Sequence, residues 1–189
     1  MTVSGGSMGR HAELSFASAQ IWERRPFPQR QTPLGAAAQA LLVEMPEVLG
    51  PIRGVAGAEG LVDALRTERA GGIVRWARSL IGAGPGLTPL GDDVVGGALF
   101  ALRSVGAGDR RGVEELVVWA QDRTSRLSWC LLADLSDGHG PAPLHQLAEA
   151  LCAGRMDAAR AGAQELAGLG HTTGRGILAG ALAVWASQS

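Results

Sequence analysis

The segment Gly82–Asp93 (GAGPGLTPLGDD) combines four glycines, two prolines and two adjacent aspartates. Glycine adopts positive φ without steric cost, so successive backbone N–H groups can point into one concavity, while proline restrains the rest of the turn. The helix predicted to begin near Gly91 adds the partial positive charge of its N-terminus. The segment therefore predicts a binding loop for a phosphate or carboxylate, whose contacts are Gly84, Gly86, Leu87, Thr88 and Gly91.

The two aspartates of this segment, Asp92 and Asp93, cannot both act as the N-cap of the helix. The carboxylate that does not cap could bind Mg²⁺, accept a substrate N–H or act as a general base. The alternative is a rigid turn between two helices, with one capping Asp and no ligand. The segment is not a Walker A loop, because no Lys-Ser/Thr pair follows the glycines, and no strand precedes it as a dinucleotide-binding fingerprint requires.

A second segment with chemical potential is Gly170–Gly174 (GHTTG), between the end of one predicted helix and the start of the last. Thr172 or Thr173 is a natural N-cap there, and either can also contact a substrate. Placed opposite the glycine-rich segment, His171 would supply an acid, a base or a hydrogen-bond donor. A loop histidine with a purely structural or surface role is the alternative.

The third segment is Arg123–Ser128 (RTSRLS), at another predicted helix start. One interpretation is a Thr124 or Ser125 cap flanked by solvated arginines. In the functional alternative, Arg123 or Arg126 holds an anionic substrate and Ser128 faces the site one turn into the helix. Two other histidines, His139 and His145, are expected in a loop or at the surface.

The composition is that of a globular chain and limits the classes of partner. Of the 189 residues, 46 % are apolar and 19 % charged, and the net charge of -1 gives no bulk attraction to nucleic acid or a membrane surface. No apolar run has the length of a membrane span, and the N-terminus lacks the apolar region of a signal peptide. Two cysteines make no disulfide framework, so we expect a cytoplasmic protein.

Apolar residues recur at three- and four-residue steps over most of the chain, which predicts a mainly α, compact bundle of about six or seven helices. A small extended or β element is expected near the N-terminus, within Leu14–Glu23. We expect a flexible stretch at 1–13 and one globular domain at 14–189. Within that domain, 14–55 would form an N-terminal arm and linker, and 56–189 the helical core that carries the three segments.

Glycines inside the predicted helices, at Gly96, Gly97, Gly176 and Gly180, each cost on the order of 1 kcal/mol relative to Ala. Such a cost indicates either close helix packing or a ligand against the backbone. The Ala- and Gly-rich helix faces suit a tight homodimer and a monomer's core equally well.

The run from Gly82 to Leu102 resembles the signature of the family that includes the AllH subunit of oxamate carbamoyltransferase, G-x-G-P-G-L-T-P-S-G-D-D followed by a glycine-containing helix. Thr124–Ser128 and Gly170–Gly174 resemble two weaker motifs in the same order. Leu90 stands where the first motif has Ser, and Thr173 stands where the last motif, GHTSG, has Ser.

The resemblance implies participation in carbamoyl transfer, in which oxalurate and phosphate exchange with oxamate and carbamoyl phosphate during allantoin breakdown, with several different subunits working together. The loop N–H groups would then hold the phosphate, an Arg the oxamate carboxylate and an Asp its amide. His171 would polarise the carbamoyl oxygen or carry a proton. Two other hypotheses stay open: a non-catalytic anion-binding subunit that completes a partner's site, and a stand-alone biosynthetic enzyme that uses the fold for different chemistry.

Overall fold

The computed structural model describes residues 2–7, 10–15, 17–18, 27, 34–50, 71–107 and 109–188. Within these residues the chain is mainly α, as the apolar spacing predicts, but it has eight α-helices rather than about six or seven. The helices are α1 (Leu34–Glu44), α2 (Gly71–Leu80), α3 (Leu90–Ser104), α4 (Arg110–Ala120), α5 (Arg126–Ser136), α6 (Ala142–Cys152), α7 (Met156–Ala167) and α8 (Thr173–Ala186).

A short 3₁₀-helix, Pro46–Leu49, follows α1, and an antiparallel strand pair precedes it. The strands are β1 (Thr2–Ser7) and β2 (Arg10–Ser15), in a register that pairs Thr2 with Ser15. The extended element expected within Leu14–Glu23 overlaps β2 only at its end, and most of that range lies outside the described residues.

Two of the turns between consecutive helices are made by a glycine with positive φ. After α5, Gly138 adopts φ 83°, and the next N–H, of His139, donates to the carbonyl of Asp134 at 2.8 Å. After α6, Gly154 has φ 67° and the N–H of Arg155 donates to the Ala150 carbonyl at 2.9 Å. Both are Schellman-type ends, which satisfy the last carbonyls and turn the chain sharply.

The centre of the core is the contact between α3 and α8. A Cβ atom added at Gly97 of α3 would lie 2.0 Å from the carbonyl oxygen of Ile177, and one added at Gly180 of α8 would lie 1.9 Å from that of Val94. The two backbones therefore touch, and each helix places a glycine against the other. Of the two explanations for helical glycines, close packing is confirmed for these two positions.

Helix α1 packs against α8 near the C-terminal end of that helix. Leu34, Ala38 and Leu41 are fully buried, and Gln39 Nε2 donates to the Ala186 carbonyl at 2.9 Å. None of the helices in the described part of the chain has the length and apolar character needed to cross a membrane.

The expectation that His145 lies in a loop or at the surface is wrong. His145 is in α6 and only 7 % exposed. Its ring meets the edge of Phe100 at 5.0 Å between centroids and stacks on Phe27 at 6.1 Å. The apolar face of α6 is broad enough to include this position, because Leu144 and Leu147 on either side of it are also buried. His139 is exposed in the α5–α6 turn, as expected.

Candidate functional site

The loop between α2 and α3 is built on three glycines with positive φ: 78° at Gly82, 125° at Gly84 and 90° at Gly86. A Cβ atom at Gly82 would also lie 2.4 Å from the carbonyl oxygen of Arg123, so no other residue fits there without movement. The Gly82 N–H donates to Asp92 Oδ1 at 2.6 Å. This bond folds the loop back onto the helix that follows it.

The rest of the loop leaves several backbone donors unused. Pro85 and Pro89 have no N–H, and Gly91 donates to the Ala83 carbonyl at 2.9 Å. Among the described residues, four loop amides have no hydrogen-bond acceptor, and they belong to residues that are exposed or half-buried: Gly84, Gly86, Leu87 and Thr88. Such donors before a helix N-terminus are suited to an anion.

Asp92 is a structural centre of this region, buried to 2 % exposure in the first turn of α3. Besides the loop amide on Oδ1, its Oδ2 accepts from the hydroxyl of Ser128 at 2.6 Å and from the hydroxyl of Thr124. Both oxygens are therefore engaged. Asp92 joins three segments of the chain: the glycine-rich loop, α3 and the start of α5.

Neither aspartate caps α3, so the expectation of a capping Asp is wrong. The N-cap position belongs to Pro89, whose side chain has no hydrogen bond to offer. The helix begins at Leu90, one or two residues earlier than predicted, which moves both carboxylates inside the first turn. Asp92 consequently reaches outward to Gly82 rather than to the helix's own amides.

At the start of α5 the cap is Ser125, one of the two predicted candidates. Its Oγ accepts from the Ser128 N–H at 3.0 Å and donates to the Leu87 carbonyl of the glycine-rich loop. The other candidate, Thr124, serves Asp92 instead. The first turn of α5 thus supports both the loop and the aspartate.

Asp93 is the chemically distinctive residue of the region. It is 1 % exposed, yet neither of its oxygens has a hydrogen-bond partner among the described residues. Burial raises its pKa to about 7; the Thr173 hydroxyl opposes this, and the negative charge of Asp92 adds to it. Thr173 lies close enough to Asp93 to affect its pKa, but the hydrogen bond that the Thr173 hydroxyl makes is to the hydroxyl of Thr88.

The Thr88–Thr173 contact joins the glycine-rich loop to the first residue of α8, with 3.0 Å between the two hydroxyl oxygens. Thr172 occupies the N-cap position of α8 but makes no capping bond with its side chain. Further into the helix, Gly176 faces Asp93: a Cβ atom at Gly176 would lie 2.6 Å from that of Asp93. The first two turns of α8 therefore form one wall around Asp93.

The two candidate arginines differ in their surroundings. Arg123 stacks on the ring of Trp119 at 4.1 Å and donates from Nη1 to the Trp119 carbonyl at 2.7 Å. Arg126 is the first residue of α5, is exposed and has no partner among the described side chains. The guanidinium of Arg123 is therefore held against Trp119, whereas that of Arg126 is exposed to solvent.

The structure brings together most of the sequence-predicted site: the loop, Asp92, Asp93, Ser128 and Thr173. Among the described residues it records no contact of His171 or Arg126 with the aspartates, and His171 is exposed in the α7–α8 turn. Sequence reasoning missed two participants, the Thr124 hydroxyl on Asp92 and Gly176 against Asp93. The Thr/Ser-rich start of α5 was a usable signal for Thr124, which lies just before the N-cap Ser125.

A metal site finds limited support in these residues. The described part of the chain contains no group of three His, Cys, Asp or Glu side chains that could hold an ion. Asp92 has both oxygens engaged in hydrogen bonds, so a cation at this place would have only the carboxylate of Asp93.

These features define a helical protein in which a glycine-rich loop with unused amides lies beside a buried, unpartnered carboxyl. Residues 80–185 match the family described as oxamate carbamoyltransferase subunit AllH, and the chain belongs to that family. The matched range spans the loop and α3 to α8, including every residue of the site. No curated protein and no solved structure matches the chain.

Proposed function

We propose that this chain carries the carbamoyl-transfer site of its complex, with the glycine-rich loop as the phosphate subsite and Asp93 as the acid–base residue. Family membership supports a role as a subunit of a carbamoyltransferase. The observation that carries the catalytic part is the carboxyl of Asp93, which is buried and unpartnered beside an anion-binding loop.

A buried carboxyl without hydrogen bonds lowers stability, so its presence needs a reason other than folding. Its pKa of about 7 is suited to proton transfer near neutral pH, since both protonation states are then populated. Asp92 has the opposite character, because three donors hold it in place. We therefore assign Asp92, with Ser128 and Thr124, to positioning the loop rather than to proton transfer.

In the proposed reaction the amide nitrogen of the acceptor, which is oxamate in the family's name, attacks the carbamoyl carbon of carbamoyl phosphate. The new N–C bond forms, the C–O bond to phosphate breaks, and phosphate leaves with the electron pair. The proton lost by the nitrogen passes to the carboxylate of Asp93, which returns it in the reverse direction. The loop amides of Gly84, Gly86, Leu87 and Thr88 would stabilise the phosphate, and the exposed guanidinium of Arg126 would stabilise a carboxylate on the acceptor where it has one.

The test is phosphate release from carbamoyl phosphate in the presence of oxamate or of a neutral primary amide, measured for the chain together with its partner subunits. We expect Asp93→Asn to lower kcat by at least about a hundredfold, in the range of lost general acid–base catalysis. Asp157→Asn, a matched change at a fully exposed position of α7, serves as the control and should leave the rate unchanged. Full turnover by Asp93→Asn would refute the assignment.

A second candidate is a non-catalytic anion-binding subunit that completes a partner's site. The exposure of His171, for which the described residues show no contact with the aspartates, favours it, because this side chain could face a bound partner instead. In that case the chain alone would bind phosphate without any turnover, and Asp93→Asn would alter phosphate affinity rather than kcat. Turnover by the isolated chain on other substrates would instead favour a stand-alone enzyme.

A further inference from the structure

A cavity of about 370 Å³ lies between α5, the α5–α6 turn and the start of α8. Its volume falls within the range of about 300–1,000 Å³ that is typical of small-molecule pockets. It is separate from the glycine-rich loop, none of whose residues lines it. The lining includes Leu131, Asp134, His139, Leu169, Thr173 and Ile177.

Thr173 connects this cavity to the proposed site. It lines the cavity, its hydroxyl oxygen lies 3.0 Å from that of Thr88 in the loop, and it is close enough to Asp93 to influence that carboxyl. The cavity and the loop therefore adjoin at the two threonines. A molecule in the cavity and an anion on the loop would meet beside Asp93.

The lining indicates what kind of molecule the cavity would take. Most of its exposed surface is apolar, and its polar side chains are one carboxylate, Asp134, one imidazole, His139, and the Thr173 hydroxyl. No arginine lines it, so it lacks the cation that a phosphate or dicarboxylate would require. Leu90, present where the family pattern has Ser, adds a further apolar side chain next to Gly176, beside Asp93.

We propose that this cavity binds the carbamoyl acceptor, and that the acceptor is a neutral amide or urea with an apolar body rather than oxamate itself. The inference rests on the proposed function and narrows its substrate class. The acceptor's N–H donates to Thr173 Oγ1. During transfer the proton lost by the acceptor nitrogen passes to the carboxylate of Asp93 beside Thr173, and phosphate leaves as described above.

Two isoleucines allow the two subsites to be observed separately. Ile177 lines the cavity, and Ile81 immediately precedes Gly82 of the loop. We would label isoleucine δ1-methyl groups and titrate the full chain with inorganic phosphate, with butanamide and with oxamate, following methyl NMR shifts. Phosphate should shift Ile81, butanamide should shift Ile177, and oxamate should leave Ile177 in place.

Matched variants identify where butanamide binds. Leu169→Trp adds bulk at a partly exposed cavity residue and should weaken butanamide binding at least fivefold. Val118→Trp adds the same bulk at an exposed position of α4 outside the cavity and should not change it. Thr173→Val should weaken binding through the lost hydroxyl, and Thr173→Ser should restore it.

The outcomes separate the two proposals. A butanamide shift at Ile177 that Leu169→Trp suppresses supports the cavity as an amide site. Absence of that shift, or its persistence in Leu169→Trp, overturns the inference while leaving the loop and Asp93 untouched. Loss of the phosphate response at Ile81, or full turnover by Asp93→Asn, refutes the proposed function whatever Ile177 reports.

Discussion

Asp92 and Asp93 are chain neighbours with opposite environments. Successive helical residues point about 100° apart, so Asp92 faces the loop and α5 while Asp93 faces α8. One carboxylate accepts three hydrogen bonds and the other accepts none from the described residues. The aspartate side chain therefore stabilises the fold at position 92 and lowers the stability of the fold at position 93.

The first prediction concerns the pH dependence of stability at Asp93. Below its ordinary pKa of 3.8 the carboxyl is protonated in both the folded and the unfolded chain. From there to about pH 7 only the unfolded chain releases the proton, so this residue lowers the free energy of unfolding as pH rises. Above pH 7 the loss is constant, on the order of 4 kcal/mol.

Asp93→Asn removes this dependence. The difference in free energy of unfolding, variant minus wild type, should therefore increase by about 2–3 kcal/mol as the pH is raised from about 5 to about 8. Urea unfolding of both proteins at the two pH values measures the gain. Comparing the difference between the proteins cancels the titration of other groups. A difference that stays constant with pH would contradict a raised pKa at Asp93.

The second prediction is that Asp92→Ala lowers the free energy of unfolding by about 3 kcal/mol or more, because it leaves the Gly82 amide and two hydroxyls without an acceptor. Ser128→Ala, which removes only one donor, should cost about 1–2 kcal/mol. Urea unfolding at neutral pH measures both. If Asp92→Ala were as stable as wild type, the three hydrogen bonds could not be what holds the loop.

At the residue scale the sequence singled out the loop glycines and both aspartates, and it named Thr124 or Ser125 as the cap of α5, of which Ser125 is the one observed. It could not assign the aspartates' roles, because these depend on which helices lie on either side of α3. It also misplaced His145. This histidine is buried because its ring packs against Phe27 and Phe100, and the sequence around His145 does not show that those rings lie next to it.

At the element scale the helices follow from apolar spacing and glycine stops, but their pairing does not. α3 and α8 are far apart in sequence, and nothing in either alone shows that Gly97 meets Ile177 or that Gly180 meets Val94. The glycines indicated a close approach to some surface, and only the fold identifies that surface as another helix backbone.

The third prediction tests this contact. Gly180→Ala adds a Cβ 1.9 Å from a backbone carbonyl oxygen. The helices must separate, so we expect a loss of about 3 kcal/mol or more, despite the better helix propensity of Ala. Gly168→Ala is the control, because its nearest contact of 3.4 Å is ordinary. Thermal unfolding of the two variants should differ sharply, and similar melting temperatures would argue against touching backbones.

At the scale of the whole molecule the chain has an exposed apolar pair close to the site. Leu87 is 69 % exposed and Leu127 is 58 % exposed, and the bond from Ser125 to the Leu87 carbonyl keeps their segments together. Exposed apolar side chains that cluster often mark interaction surfaces. Because the family is that of a subunit, this surface is where we expect a partner subunit to approach.

The fourth prediction follows from that location. Leu127→Asp should weaken association with the partner subunits at least tenfold without lowering the melting temperature, because the side chain is mostly outside the core. Val43→Asp, at an 80 % exposed position of α1, is the matched control. Analytical ultracentrifugation of mixtures measures the affinity, and equal behaviour of the two variants would place the interface elsewhere.

The touching backbones of α3 and α8 also restrict how the protein can evolve. Asp93 and its wall at Gly176 lie on these two helices, and positions 97 and 180 accept no larger residue without separating them. At this contact the pocket cannot be widened by substituting smaller side chains between the helices, because the positions in contact are already glycines. New specificities would have to arise on the loop or at cavity residues such as Leu131 and Ile177, while the buried carboxyl proposed for proton transfer is inherited unaltered.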